Sequence, residues 1–388
     1  MNDIAIDTAP VLFDERATAN GFRIGIATLN APKTLNGLSL AMARLLDAQL
    51  AAWATDDGIA AVVLQGAGEK AFCAGGDLHG LYRGMREYSA SGSSDIRDNV
   101  YARNFFETEY RLDHRIHTYP KPFLCWGHGI VMGGGIGLMA GASHRVVSER
   151  AKLAFPEITI GLYPDVGGSW LLDRVPDRAG LFLALTGAPL NAGDAIYAGL
   201  ADFHIAQERH ADVLAALLDA AWNGDADDDS ARLTALLRSY TQPAAHGPLR
   251  QHAALIAAVC AHDDVTAIVA AIAGIDHDDA WLHNAKAALA AGAPGSARLG
   301  VELQRRAAAL SLAETFRMEY GVSLHCAAHG DFAEGIRALL IDKDRHPRWN
   351  PATLAEATPA WAETFFSTPW ADAAHPLADL GADTETRA

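Results

Sequence analysis

Cysteine is scarce in this 388-residue chain. Its four residues, Cys73, Cys125, Cys260 and Cys326, lie far apart and form no CxxC pair. A disulfide framework or zinc ribbon is therefore not expected, and the thiols read as the reduced thiols of a cytosolic protein. Positive charge is also short. Lys and Arg number 31 against 47 Asp and Glu, a formal net charge of -16 at pH 7. Nucleic acid is not an expected partner, because its phosphates need a basic surface. A small polyanion can still be held by a few cations or by backbone N–H groups. No apolar run reaches the roughly 18 residues of a membrane span, so no membrane partner is expected. The longest run, Val265 to Ile275, reads as a buried helix. The stretch from Met1 to Asp7 carries Asp where a secretory leader is basic, and it lacks the Arg and Ser of a transit peptide. A cytoplasmic location is expected on these grounds.

What is present is ordinary for a globular protein: 50% hydrophobic and 20% charged residues. The length exceeds one average domain. Residues 22–29 alternate as a strand. From Ser39 to Thr55, Met42, Leu45, Leu46, Leu50 and Trp53 recur at helical spacing, with Ser39 as N-cap. Residues 60–66 read as a buried strand, which gives the strand–helix–strand opening of an α/β protein. A polar stretch from Glu87 to Asn99 reads as a mobile loop, 104–116 as a helix and 123–131 as one strand. Residues 132–137 open a further helix, and 145–147 and 153–155 are short strands. After about residue 205 the chain turns Ala- and Leu-rich with helical periodicity. Three parts are expected: 1–205, a helical 206–370 and a frayed 371–388.

Three features carry chemistry together. Gly75-Gly76-Asp77 follows the apolar 71–74. Gly133-Gly134-Gly135 opens a helix after a strand. Pro156-Glu157 is followed by Pro164-Asp165-Val166-Gly167-Gly168. Glycine lets a backbone approach a ligand closely at positive φ, and two such loops can aim two N–H groups at one oxygen. That is an oxyanion hole, and Gly134 adds the positive end of a helix. Taken alone, a Gly-rich turn before a helix is usually a tight connection. Residues 135–140 also fit GxGxxA, the dinucleotide fingerprint, but Gly127 and Gly129 break the strand that should precede it.

Residues 72–78, Phe-Cys-Ala-Gly-Gly-Asp-Leu, resemble the first signature of the crotonase (enoyl-CoA hydratase/isomerase) superfamily. Residues 128–135 followed by 155–162 resemble its second, in matching order and spacing over roughly 20–205. The resemblance implies an α/β fold, a crotonase (ClpP-like) spiral of ββα units with a helical C-terminal region. It implies oxyanion N–H groups from Gly76 and Gly134, with an acyl-CoA along Gly75, Asp77 and Leu78 and beside Gly133. Hydratases of the family use two glutamates. Here one is Glu157, and Gly137 stands at the other position, so the pair that delivers water across a double bond is missing. The run 161–168 with Asp165, the run 105–110 with Glu109, and residues 332–349 resemble the 3-hydroxyisobutyryl-CoA hydrolases.

That resemblance implies hydrolysis of a 3-hydroxyacyl-CoA thioester, as in valine breakdown. Glu157 serves as general base or nucleophile, while Asp165 and Glu109 bind the 3-hydroxyl and orient water. Clustered carboxylates raise one another's pKa, which suits base work near neutral pH. No metal and no cofactor beyond the CoA of the substrate is implied, and crotonases are often homo-oligomers. A hydratase or isomerase on the same fold and a noncatalytic acyl-CoA-binding protein are the alternatives. His325 and His329 stand at metal spacing, without the Glu of HExxH or a third ligand. Residues 37–41 miss the last Gly of GxSxG. His128 reads as a packing residue. Lys33 and Arg83 are the cations put forward for the CoA phosphates.

Overall fold

The structure, a computed structural model, describes residues 9–382, so the acidic stretch from Met1 to Asp7 lies outside the described residues. Nine strands carry the N-terminal half: β1 (Val11–Ala17), β2 (Arg23–Leu29), β3 (Ile59–Gly66), β4 (Ala71–Cys73), β5 (Phe123–Gly127), β6 (Ile130–Met132), β7 (His144–Val147), β8 (Lys152–Ala154) and β9 (Phe203–His204). One sheet has the order β1-β2-β3-β5-β7-β9 and the other β4-β6-β8. Each turn of the chain (β3 with β4, β5 with β6, β7 with β8) therefore gives one strand to each sheet, which is the repeat of the ββα spiral. All pairs are parallel except β1 with β2. The apolar run of β3 suits this setting. Ile59 to Leu64 is buried throughout, as a parallel strand covered on both faces requires.

Helix α1 (Leu40–Thr55) buries Met42, Leu46, Leu50 and Trp53, while Leu45 faces outward. Ser39 caps it, its hydroxyl accepting from the Met42 N–H at 3.2 Å. Helices α2 (Leu78–Ser91), α3 (Val100–His117), α4 (Gly134–Ala140) and α5 (Gly168–Asp173) surround the candidate site. The stretch from Glu87 is not a loop. Met85 and Tyr88 are buried, α2 runs on to Ser91 and closes at Gly92 with φ 72°, and Ile96 is buried again within a short 3-10 turn. Residues 123–131 form two strands in different sheets. The break falls at His128-Gly129, where Gly129 takes φ 55° and lies against the Lys70 backbone, leaving no room for a side chain.

The C-terminal helices do not build a separate core. The largest apolar cluster runs from Val11 through Phe182 to Ile256, Ile272 and Val301. The Val265–Ala273 helix is one-sided, with Val265, Ile268 and Ile272 inward. A second cluster joins Leu81, Phe105 and Tyr110 of α2 and α3 to Phe316 and Tyr320 of the Leu312–Ala328 helix. The residues from Ala371 are docked rather than frayed as far as residue 382. Leu377 is fully buried, Arg111 grips Asp379 at 2.8 Å, and Arg317 donates to the Leu380 carbonyl at 3.0 Å. Among the described residues, no helix is long and apolar enough to cross a membrane. The four cysteines are free and buried.

Candidate active site

Two glycine loops face each other across a cavity of ≈ 80 Å³. The first leaves β4 and enters α2. Gly75 takes φ 108°, and its carbonyl accepts from the Leu38 N–H at 2.8 Å. The second leaves β6 and enters α4, and Gly133 takes φ 50°. Side chains would close this gap. A Cβ at Gly133 would stand 2.8 Å from Glu157 Oε1, and one at Gly134 would overlap Glu109 Oε1 and lie 3.5 Å from the Gly76 nitrogen. No backbone carbonyl of the described residues accepts from the N–H of Gly76 or Gly134. Both donors are thus left for a ligand oxygen.

The cavity wall holds Glu109, Glu157 and Asp165, with Gly75, Gly76, Leu78, Gly133 and Gly134. Apart from the phosphate cations Lys33 and Arg83, every site residue predicted from the sequence lines it except Asp77. That carboxylate instead caps α2, accepting from the Gly80 N–H at 2.9 Å, and takes a hydrogen bond from Tyr101 at 2.9 Å. An Asp at a helix N-cap satisfies its oxygens locally, so Asp77 supports the loop rather than the ligand.

The three carboxyls share one environment. Glu109, Glu157 and Asp165 are 2%, 4% and 5% exposed, and burial opposes their charge. Glu157 is held well above the usual carboxylate range by burial and then by Asp165. Its Oε2 is buried with no hydrogen-bond partner. Glu109 is raised likewise by burial, then by Asp165, Asp113 and Glu157. Asp165 is pushed up to about 6 by burial, against a lowering hydrogen bond from Tyr110 at 2.7 Å.

The position of the missing second glutamate is occupied. A Cβ at Gly137 would lie 2.7 Å from Val166 Cβ and 2.8 Å from Asp113 Oδ2. Asp113, one turn beyond Glu109 on α3, is fully buried, and neither of its oxygens has a partner. Burial and then Asp165 and Glu319 hold it well above the ordinary range. The turn carrying Asp165 is itself strained: Val166 takes φ 56°, a region that β-branched residues avoid.

Several of the residues around Asp165 were not foreseen. Tyr110 adjoins Glu109 in sequence, and its neighbour was the available signal. Glu319 and Ser323 lie more than 150 residues beyond Asp165, with no motif to mark them. Glu319 accepts from the N–H groups of Gly167 and Ser169 at 2.8 and 3.0 Å. His128 bonds the Gly68 carbonyl at 2.9 Å and His325 that of Ser367 at 2.8 Å, which are structural roles. Lys33 lines a separate ≈ 290 Å³ cavity with Lys70, and Arg83 is exposed on α2. No group of three or more His, Cys, Asp or Glu among the described residues is placed to hold a metal ion.

The chain is similar to the protein named 3-hydroxyisobutyryl-CoA hydrolase, mitochondrial, of Danio rerio, 37% identical over 92% of this chain and 89% of that one. The human protein of the same name is 33% identical over 86% of this chain and 83% of that one. These relatives are named as mitochondrial, which does not fit the expected cytoplasmic location. A solved structure described as a carnitinyl-CoA dehydratase from Mycobacterium thermoresistibile superposes with a TM-score of 0.80 at 38% identity, covering 92% of this chain and 96% of that one. Another, described as an enoyl-CoA hydratase from Rhodobacter sphaeroides, gives 0.79 at 33% identity over 93% and 98%. The sequence model of the enoyl-CoA hydratase/isomerase family matches residues 24–366. The chain belongs to the enoyl-CoA hydratase/isomerase family.

Proposed function

We propose that this chain hydrolyses 3-hydroxyisobutyryl-CoA, or a close 3-hydroxyacyl-CoA, to the free acid and CoA. The observation that carries the reading is the site's carboxyl arrangement. Glu157 faces the glycine pair, while the position of a second hydratase glutamate is Gly137, filled by Asp113 and Val166. A thioester oxygen between Gly76 and Gly134 receives two N–H donors as negative charge develops on it. Each such donor is typically worth about 3–4 kcal/mol of barrier. Glu157 takes the proton of a water that attacks the carbonyl carbon, or attacks that carbon itself to form an anhydride that water then opens. In either route the C–S bond breaks with its electron pair on sulfur, and the thiol takes up a proton. Asp165 and Glu109 receive the 3-hydroxyl and orient the water. The relatives named as 3-hydroxyisobutyryl-CoA hydrolases support the same substrate.

The test is thiol release from 3-hydroxyisobutyryl-CoA, followed with a thiol-reactive dye, by the wild type and Glu157→Gln. Loss of a general base lowers turnover by about 10²–10⁴-fold. A folded wild type that binds CoA and releases no thiol refutes the reading. The dehydratase and hydratase descriptions of the two solved structures favour hydration as the second reading. Crotonyl-CoA is the substrate to set beside the thioester, and its double bond is expected to survive.

A further inference from the structure

Behind Asp165 a line of four short contacts leaves the spiral and enters the Leu312–Ala328 helix. Tyr110 Oη lies 2.7 Å from Asp165 Oδ2 and 2.8 Å from Ser323 Oγ. Tyr163 Oη lies 2.8 Å from Ser323 Oγ and 2.8 Å from the Glu319 carbonyl oxygen. All five residues are buried. A hydroxyl carries one proton and a carbonyl none. Tyr110, Ser323 and Tyr163 therefore bring three protons to four contacts. With Asp165 ionised, one pair of oxygens must face each other with no hydrogen between them. With Asp165 protonated, its O–H donates to Tyr110, Tyr110 to Ser323, Ser323 to Tyr163, and Tyr163 to the carbonyl. All four contacts are then made. Away from water, the difference of one hydrogen bond is not repaired by solvent.

The far end of the line is fixed. Glu319 clamps the Gly167 and Ser169 N–H groups, directly after the strained Val166, and so holds the Asp165 turn against the same helix. The titratable groups facing Asp165 are Glu109, Asp113 and Tyr110 on α3, Glu157 across the cavity, and Tyr163, Glu319 and Cys326. Each of these is neutral or negative, so none offsets a negative charge on Asp165. Asp165 lines the cavity, and Oδ2 is the oxygen that Tyr110 contacts. A neutral Asp165 with its proton turned to Tyr110 leaves its other oxygen, Oδ1, as an acceptor.

We propose that Ser323 and Tyr163, acting through Tyr110, are positioning residues that favour the proton-bearing form of Asp165 and raise the pH at which it ionises in the cavity. The substrate role given to Asp165 rests on the hydrolase reading; the proton count does not.

Deleting a link changes the count in a way that mere packing does not. Ser323→Ala removes one proton and two contacts, leaving two protons for two contacts when Asp165 is charged and one proton to spare when it is neutral. Tyr163→Phe has the same effect from the other side. Tyr110→Phe instead removes the donor to ionised Asp165. The readout is the pH at which the stability difference between each protein and the same protein carrying Asp165→Asn levels off, since that upper midpoint belongs to folded Asp165. Ser323→Ala and Tyr163→Phe are expected to lower it by about one pH unit, Tyr110→Phe to raise it, and Ser323→Thr to leave it in place. A midpoint unchanged or raised in Ser323→Ala or in Tyr163→Phe overturns the proposal. A wild type that releases no thiol refutes the hydrolase reading and leaves the midpoints to decide the proton count.

Discussion

Replacing Asp165 by Asn removes a charge that burial opposes, and the gain in stability follows from how far burial has moved that carboxyl. In the folded protein it is raised from 3.8 to about 6. Below pH 4 the acid is protonated in both states and contributes no difference. Between about pH 4 and pH 6 the unfolded chain gives up its proton while the folded one holds it, so stability falls as pH rises. Above pH 6 the deficit is complete. Two units at about 1.4 kcal/mol each make it about 3 kcal/mol. Asn keeps the shape, and its amide can supply the proton that the Tyr110–Ser323–Tyr163 line lacks. The expected gain at pH 8 is therefore about 3 kcal/mol. With an unfolding entropy of about 2.1 cal/mol/K per residue, that is a rise in Tm of about 4 °C. Thermal unfolding of wild type and Asp165→Asn at pH 8 and pH 4 measures it. Equal gains at both pH values, or a loss at pH 8, would refute the reasoning, because only a buried charge makes the effect vanish in acid. Activity is expected to fall in the same variant, since stability and function draw on the same group in opposite senses.

Other substitutions test other parts of the site. Gly134→Ala drives a methyl into Glu109 Oε1 and crowds the Gly76 nitrogen, and a drop of about 10²–10³-fold in kcat for thiol release is expected. Gly137→Glu meets Val166 and Asp113 at once; it is expected to cost about 3 kcal/mol or more in a denaturant titration and to gain no hydration of crotonyl-CoA. Glu319→Ala orphans two buried N–H groups and frees the Val166 turn, at a cost of about 2–5 kcal/mol, with kcat falling more than KM changes. A single turnover in ¹⁸O water tests Glu157 as nucleophile: label found in its carboxyl after hydrolysis shows that water opened an anhydride there.

Much of this site was legible because it is built locally. Gly76 and Gly134 each sit beside the strand end that aims them, and the residue type reports the backbone conformation directly. Glu157 and Asp165 fall in one short segment after β8, so their proximity needed no knowledge of the distant chain. Asp77 misled for the same local reason. An Asp next to a glycine loop is as good an N-cap as a ligand contact, and only the position of the Gly80 N–H decides. The long polar stretch after Glu87 misled because composition outweighed the two residues, Met85 and Tyr88, that anchor its helix. Glu319 and Ser323 were illegible. They act on Asp165 from another region, at i and i+4 on a helix whose apolar residues dominate its pattern, and each makes ordinary hydrogen bonds that no spacing announces.

Gly137 and Asp113 together explain how one scaffold carries different chemistry. The Cβ of a glutamate at position 137 of α4 would run into Val166 and Asp113. Here α4 has no side chain at that position, and the space is filled from the outside by Asp113 of α3 and by Val166, whose strained backbone brings Asp165 in from the opposite wall. Asp165 itself sits on a turn fastened by Glu319 of the C-terminal helical region, which accepts from the Gly167 and Ser169 N–H groups. The cost is a set of four buried carboxyls in the spiral, Glu109, Asp113, Glu157 and Asp165, whose charge burial opposes, and an isolated spiral would have to hold them without the bonds that Glu319 and Ser323 supply. The helical region is on this account part of the site: Glu319 fastens the turn that carries Asp165, and Ser323 meets the Tyr110 hydroxyl that contacts its carboxyl.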